Sequence, residues 1–181
     1  MHESLRLRER RPTTVGLHGR TKESALTKIR YELELNELQP VGRLDSKVRN
    51  VEPDDLQGLA QLMLDAYRGT IDSEDETYED AVSEVRSFLE NDPALEHSYV
   101  VELDGTLVCA VLVQVRDGDL FIGYVMTHPD HKGTHIGRRL VHHALSHANE
   151  YRRAIFYITR GNEPSEALFA SLGALAGGET K

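Results

Sequence analysis

The chain has 181 residues, 39% of them hydrophobic, with seven Tyr, four Phe, no Trp and a single cysteine, Cys109. That length allows one ordinary domain with a buried core, and one cysteine makes neither an internal disulfide nor a thiolate zinc cluster, which points to a reducing, cytoplasmic setting. No stretch approaches the roughly 20 apolar residues of a membrane span, and a formal charge of −9 argues against a broad nucleic-acid-binding face.

The charge is unevenly spread. Residues 1–30 carry eight Lys/Arg against three Asp/Glu, whereas 51–96 carry fourteen acids against Arg68 and Arg86. The first 27 residues are polar, with Pro12, Gly16 and Gly19 and no sustained period, so 1–27 reads as a flexible basic arm. Residues 28–45 read as an extra strand and linker: Ile29, Tyr31, Leu33 and Leu35 alternate with Arg30, Glu32, Glu34 and Asn36, and Pro40 and Gly42 end the run. The main domain is then 46–181.

It opens with a short strand at 47–51. Pro53 and the acids Asp54 and Asp55 announce a helix, with Leu56, Leu59, Ala60, Met63, Leu64 and Tyr67 on its buried face, ending near Gly69. Thr77 with Asp80 starts a second helix, buried at Ala81, Val82, Val85, Phe88 and Leu89 and halted by Asn91 and Pro93. The connection 71–76 is acidic: a solvated loop, or a cation-facing lip where it overhangs a pocket.

Three strands follow at 99–103, 107–115 and 120–127. Asp104-Gly105 and Asp117-Gly118 separate them, and both dipeptides tolerate the positive φ of tight hairpins, so the three form an antiparallel meander. A polar turn over 128–136 leads to a helix from Gly137 to about Glu150, a strand at 154–158 and a short helix at 164–172 closed by Gly173. A right-handed crossover sets the strand at 154–158 parallel to the third of the meander. The class is therefore α+β, a mixed twisted sheet flanked by helices.

The run Val125-Met126-Thr127-His128-Pro129-Asp130-His131-Lys132-Gly133-Thr134-His135-Ile136-Gly137-Arg138-Arg139-Leu140 carries the chemistry. A strand enters a glycine-containing turn and a helix begins at once, which aims several backbone N–H groups and the positive helix end at one point. An anion belongs there, with Lys132, Arg138 and Arg139 adding charge. The dinucleotide Gly-x-Gly-x-x-Gly and the P-loop Gly-Lys-Ser/Thr are both absent. Six of the nine histidines lie between 128 and 147. His143 and His147, four apart on a helix, form an adventitious zinc pair at most, and no metal site is assigned.

The arrangement resembles the GNAT superfamily of N-acetyltransferases over about residues 47–174. The resemblance rests on the "PDD" helix start, the run "VMTHPDHKGTHIGRRL" and the ending "NEPSEALFASLGA", in that order. The family's turn reads Arg/Gln-x-x-Gly-x-Gly/Ala, and those places hold Lys132, His135 and Gly137. The resemblance implies the GNAT fold, acetyl-CoA as the cofactor, and a pyrophosphate held by Lys132, Gly133, Thr134, His135, Ile136, Gly137 and Arg138. The main chain of Val125, Met126 and Thr127 would pair with the pantetheine arm where the family's strands splay. Asn162 stands where the family has a cofactor-contacting Asn, and a plain helix cap is the alternative. His135, replacing a glycine, would either crowd the pyrophosphate or donate a hydrogen bond to it.

The implied reaction is acetyl transfer to a primary amine by direct attack in a ternary complex. The family's Glu base is replaced by Phe121 or Tyr157, leaving Tyr124, Asp119 and Glu102 as polar groups near the slot. Tyr124 is the first choice, with Tyr157 beside it; an ordinary sheet residue is the alternative for Tyr124. Phe169 replaces the family's acidic Tyr. The acids of 52–96 flank the acceptor site and favour a cationic small-molecule or peptide amine. A catalytically weak acyl-CoA-binding or regulatory module is the second reading. The family's usual two strands after Gly173 are truncated, so the strand at 29–35 is expected to supply an edge or to pair with a second copy of the chain, a candidate homodimer.

Overall fold

A computed structural model describes residues 27–73 and 75–177. The basic arm, apart from Thr27, lies outside the described residues. The elements in order are β1 (Lys28–Glu34), β2 (Val48–Asn50), α1 (Leu56–Tyr67), α2 (Tyr78–Glu90), β3 (Tyr99–Leu103), β4 (Thr106–Arg116), β5 (Asp119–Thr127), α3 (Ile136–Ser146), β6 (Arg153–Thr159), α4 (Glu163–Ala170) and β7 (Leu175–Ala176).

Local chemistry accounts for many of these boundaries. Asp104 and Gly105 have φ of 49° and 77°, and Asp117 and Gly118 have 53° and 84°, so both hairpins close on the dipeptides that tolerate such turns. At the start of α2, Thr77 Oγ1 accepts from the Asp80 N–H at 3.2 Å while the Asp80 carboxylate accepts from the Thr77 N–H at 2.9 Å. The foot of α1 is held by charge. Arg49 donates twice to Asp55 at 2.8 Å and twice to Glu102 at 3.1 and 3.3 Å, tying the helix to β2 and β3. Burial works against ionisation of Asp55, but the bonds from Arg49 and from the Glu52 N–H outweigh it and hold this carboxyl below its usual range.

α3 stops at Ser146, earlier than its apolar pattern implies. Ser146 Oγ donates to the His143 carbonyl at 3.1 Å, and His147 Nδ1 lies 2.7 Å from the same oxygen. These side chains compete for the acceptor that a continuing helix would use.

The seven strands form one sheet in the order β2-β3-β4-β5-β6-β1-β7. All neighbours are antiparallel except β5 and β6, which are parallel. α1 and α2 cover one face, over Val100, Ala110, Leu112 and Met126. α3 and α4 cover the other, over Val101, Val111, Val113 and Phe156.

β1 lies one strand in from the edge of the sheet. It pairs with β6 over seven residues, from Lys28↔Thr159 to Glu34↔Arg153, and its far side meets β7. Its apolar residues explain this position: Leu33 is buried in the core and Tyr31 stacks on Phe156 with ring centroids 5.8 Å apart. Beyond Gly173 the described residues add one short strand, β7, and the long strand beside it, β1, comes from the other end of the sequence.

Candidate active site

β5 and β6 pair only at Leu120↔Ala154 and Phe121↔Ile155. Beyond those residues they separate, and a cleft of about 660 Å³ opens between Ile122–Val125 and Phe156–Thr159. The separation coincides with an irregularity in β5. Leu112 faces Tyr124 and Val113 faces Ile122, so Gly123 is an extra residue that bends the strand.

The His128 N–H donates to the Val108 carbonyl on β4 at 2.9 Å. By antiparallel alternation, the main-chain groups of Met126 and Tyr124 also face β4, while those of Val125 and Thr127 face the gap. The polar backbone of Met126 thus belongs to the β4 ladder, and its side chain is fully buried. Val125 and Thr127 keep their groups toward the cleft, and the Tyr67 hydroxyl on α1 stands 3.5 Å from the Val125 carbonyl.

The turn after β5 delivers N–H groups to the same end of the cleft. The Arg139 N–H closes the first helical bond on the His135 carbonyl at 3.0 Å, which leaves Ile136, Gly137 and Arg138 as the first turn of α3. No side chain caps this helix. Gly137 has a steric reason of its own: a Cβ there would stand 2.9 Å from Thr127 Oγ1 and 3.6 Å from Leu168 Cδ1. Absence of a side chain lets α3 close onto the end of β5 and onto α4. Gly133 has φ +80° in open space. His135 occupies the left-handed region at φ 62°, a conformation glycine adopts without cost, and its side chain is exposed.

The basic side chains are engaged elsewhere. Lys132 Nζ donates to the Ala66 carbonyl in the last turn of α1 at 2.8 Å, and Arg138 donates to the Ser171 carbonyl just beyond α4 at 3.2 Å. The Arg139 guanidinium lies against Gly42. What the turn presents to an anion is therefore main chain. Thr134 turns its hydroxyl inward, donating to the His131 carbonyl at 2.7 Å.

Asn162 does cap α4, since its Oδ1 accepts from the Ser165 N–H at 3.1 Å. Its amide nitrogen also donates to Asp72 at 2.6 Å. Ile71 sits against Gly161, so the acidic connection reaches over the cleft mouth to the β6–α4 turn.

The other wall is α2 and the loop before it, which bring Asp72, Glu76, Asp80 and Glu84 to the cleft at a spacing of four residues. Tyr124 reaches across from β5 and its hydroxyl donates to Glu84. Burial, then the Glu84 carboxylate, hold this phenol above its ordinary value, so it stays protonated. Burial, with Asp72 and Glu76, does the same to Tyr67. Tyr157 lines the cleft 51% exposed, its ring 6.1 Å from that of Phe121. Phe169 is buried and stacked on Phe156 at 3.8 Å. Asp119 and Glu102 do not line the cleft; they are paired with Arg153 at 2.8 Å and Arg49 at 3.1 Å.

The residues that sequence reasoning missed are Glu84 and Tyr67. Both lay inside regular helical patterns, and only the acidic bias of 51–96 hinted at the first. Among the described residues no group of three or more His, Cys, Asp or Glu could hold a metal, and no helix is long and apolar enough to cross a membrane.

Residues 56–174 match the profile of the acetyltransferase (GNAT) family, and the chain belongs to that family, whose acyl donor is acetyl-CoA. Among solved structures, it superimposes on a GCN5-related N-acetyltransferase from Sphaerobacter thermophilus with a TM-score of 0.64 and 16% identity, covering 83% of this chain. The chain spans 48% of that protein, about half its length. It also resembles the ribosomal-protein-S18-alanine N-acetyltransferase of Escherichia coli, with a TM-score of 0.58, 15% identity and coverage of 71% of this chain and 76% of that one. The PaiA N-acetyltransferase of Thermoplasma acidophilum in complex with coenzyme A gives 0.54, 17% identity, and coverage of 70% and 87%. No curated protein matches. At these identities the structural likeness is one of fold.

Proposed function

We propose that the protein transfers an acetyl group from acetyl-CoA directly to the primary amine of a cationic acceptor, with both held in the split between β5 and β6. The observation that carries this reading is the conjunction of that split with the uncapped first turn of α3 at its end. A cleft of about 660 Å³ is of the size that ligand sites have. The Thermoplasma relative with coenzyme A bound agrees with the donor, and the Escherichia coli relative named for an alanine acceptor agrees with an amine as the other substrate.

In this reading the N–H groups of Gly133, His135, Ile136, Gly137 and Arg138 hold the pyrophosphate, aided by the helix dipole. Lys132 and Thr134 contribute by shaping the turn. The main chain of Val125 and Thr127 pairs with the pantetheine arm, and Asn162 meets it by releasing Asp72. Bound there, acetyl-CoA supplies a thioester-activated acetyl group. Tyr124, protonated at neutral pH, serves as a proton donor, which suits its raised phenol better than the role of base. Tyr157, which lines the cleft, offers an aromatic face to the incoming cation, and the α2 carboxylates draw it in. Cys109 carries no acetyl group, because it is buried and burial pushes its thiol up to about 11.

Release of free thiol from acetyl-CoA across a panel of polyamines, aminoglycosides and peptide amines, with anionic amines as controls, tests the proposal. Turnover with cationic acceptors that weakens as salt rises is expected. Tight coenzyme A binding without turnover on any amine would support an acyl-CoA-binding module instead.

A further inference from the structure

Tyr124 on β5 and Glu84 on α2 stand forty residues apart and meet across the cleft, the hydroxyl donating to the carboxylate. Of the carboxylates on that wall, Asp80 is bound into the helix cap by Thr77 and Asp72 is held by Asn162. The partner of Glu84 is instead a side chain of the opposite wall. The Tyr124 ring is fixed edge-on against Phe88, with centroids 6.2 Å apart, and the next residue, Val125, turns its main chain into the gap.

We infer that Glu84 is the catalytic base of the acetyl transfer proposed above, and that it passes the acceptor's proton through the Tyr124 hydroxyl to the departing sulfur. This rests on that reading of the cleft. The balance is complete without a further reactant. A neutral amine nitrogen forms the C–N bond to the acetyl carbon as the C–S bond breaks, with the electron pair leaving on sulfur. The proton lost from nitrogen goes to Glu84. Tyr124 gives its hydroxyl proton to the sulfur and takes one from Glu84, so amide and free thiol leave and both side chains return to their starting states.

The direction of flow follows from the site. Burial and Glu84 keep the Tyr124 phenol protonated, so it can donate at neutral pH but cannot start the reaction as a base. The charged and titratable groups around the pair are Tyr67 of α1, Arg116 of β4, Asp80 one turn earlier on α2, Asp72 and Glu76 of the loop, Tyr157 of β6 and Lys28 of β1. Two of these are cations: Arg116 stacks 3.5 Å over Phe121, and Lys28 stands on the β6–β1 side of the cleft.

The test uses Glu84→Gln, which keeps an acceptor for the Tyr124 hydroxyl but not a base, together with Glu84→Ala, Tyr124→Phe and Glu84→Gln/Tyr124→Phe in the full chain. Glu84→Gln should lower kcat by about 100-fold, leaving coenzyme A affinity by calorimetry and the melting temperature near wild type. The double variant should be no slower than Glu84→Gln alone, because both residues serve one path. Independently of turnover, ultraviolet titration of tyrosinate should show one tyrosine, missing in Tyr124→Phe, that titrates at lower pH in Glu84→Gln and Glu84→Ala than in wild type. Wild-type kcat in Glu84→Gln, single effects that multiply, or identical tyrosine titrations would each overturn the relay. Failure of the wild type to bind coenzyme A would instead overturn the reading beneath it.

Discussion

The two walls of the cleft are built from different materials. At the α3 end, what faces the gap is main chain, and the nearby cations Lys132 and Arg138 spend their charge on the carbonyls of Ala66 and Ser171. At the α2 end, what faces the gap is side chain: Asp72, Glu76, Asp80 and Glu84. A backbone site tolerates changes of side chain but not of shape, whereas a side-chain site has the reverse tolerance. Substitutions in the two walls should therefore fail in different ways.

The largest expected effect is steric. Gly137→Val puts atoms where a Cβ alone would lie 2.9 Å from Thr127 Oγ1, and should cost about 2 kcal/mol of stability and about 30-fold in coenzyme A affinity. Calorimetry and thermal melting check both, and Thr127→Ala should restore part of the loss in Gly137→Ala. Unchanged affinity in Gly137→Val would remove the distinction between the walls. Arg49→Met strikes the foot of α1, the helix packed beside the acidic wall, leaving the largely buried Asp55 without its fork, and should cost about 2 kcal/mol in denaturant unfolding while sparing coenzyme A affinity. The pH dependence has a definite sign. Asp55 titrates lower when folded, so its stabilisation is present above about pH 4, the unfolded value, and is lost as pH falls through the folded one. The acid limb of stability should flatten in Arg49→Met.

Smaller changes sharpen the contrast. Thr77→Ala removes the cap that starts the acidic wall and should cost about 1 kcal/mol, seen as a lower melting temperature with intact coenzyme A binding. His135→Gly relieves a left-handed residue in the main-chain wall and should gain about 0.5 kcal/mol. Coenzyme A affinity should stay the same or rise; a fall would show that the imidazole itself holds the ligand.

This difference in materials also decides what could be read from the sequence. The hairpins at Asp104-Gly105 and Asp117-Gly118, the Thr77–Asp80 cap and the turn before Gly137 depend on neighbours within a few residues, and each is legible. The parallel β5–β6 pair follows from the chirality of the crossover. Position in the sheet is less local. Ile29 to Leu35 announced a strand, but that Tyr31 packs on Phe156, so that β1 lies between β6 and β7, depends on contacts more than 120 residues apart. The destinations of Lys132 and Arg138 depend on helix ends that composition does not place. Glu84 was hidden for the same reason, one acid among fourteen until α2 was set opposite Tyr124.

The claim on which the rest depends is that main-chain donors ahead of and within the first turn of α3 grip the pyrophosphate. Backbone amide shifts recorded while coenzyme A is added to isotope-labelled protein test it most directly. The largest changes should fall on Gly133 and on His135 through Arg138, with Val125 and Thr127 next. Shifts concentrated elsewhere, or none at millimolar ligand, would contradict the account.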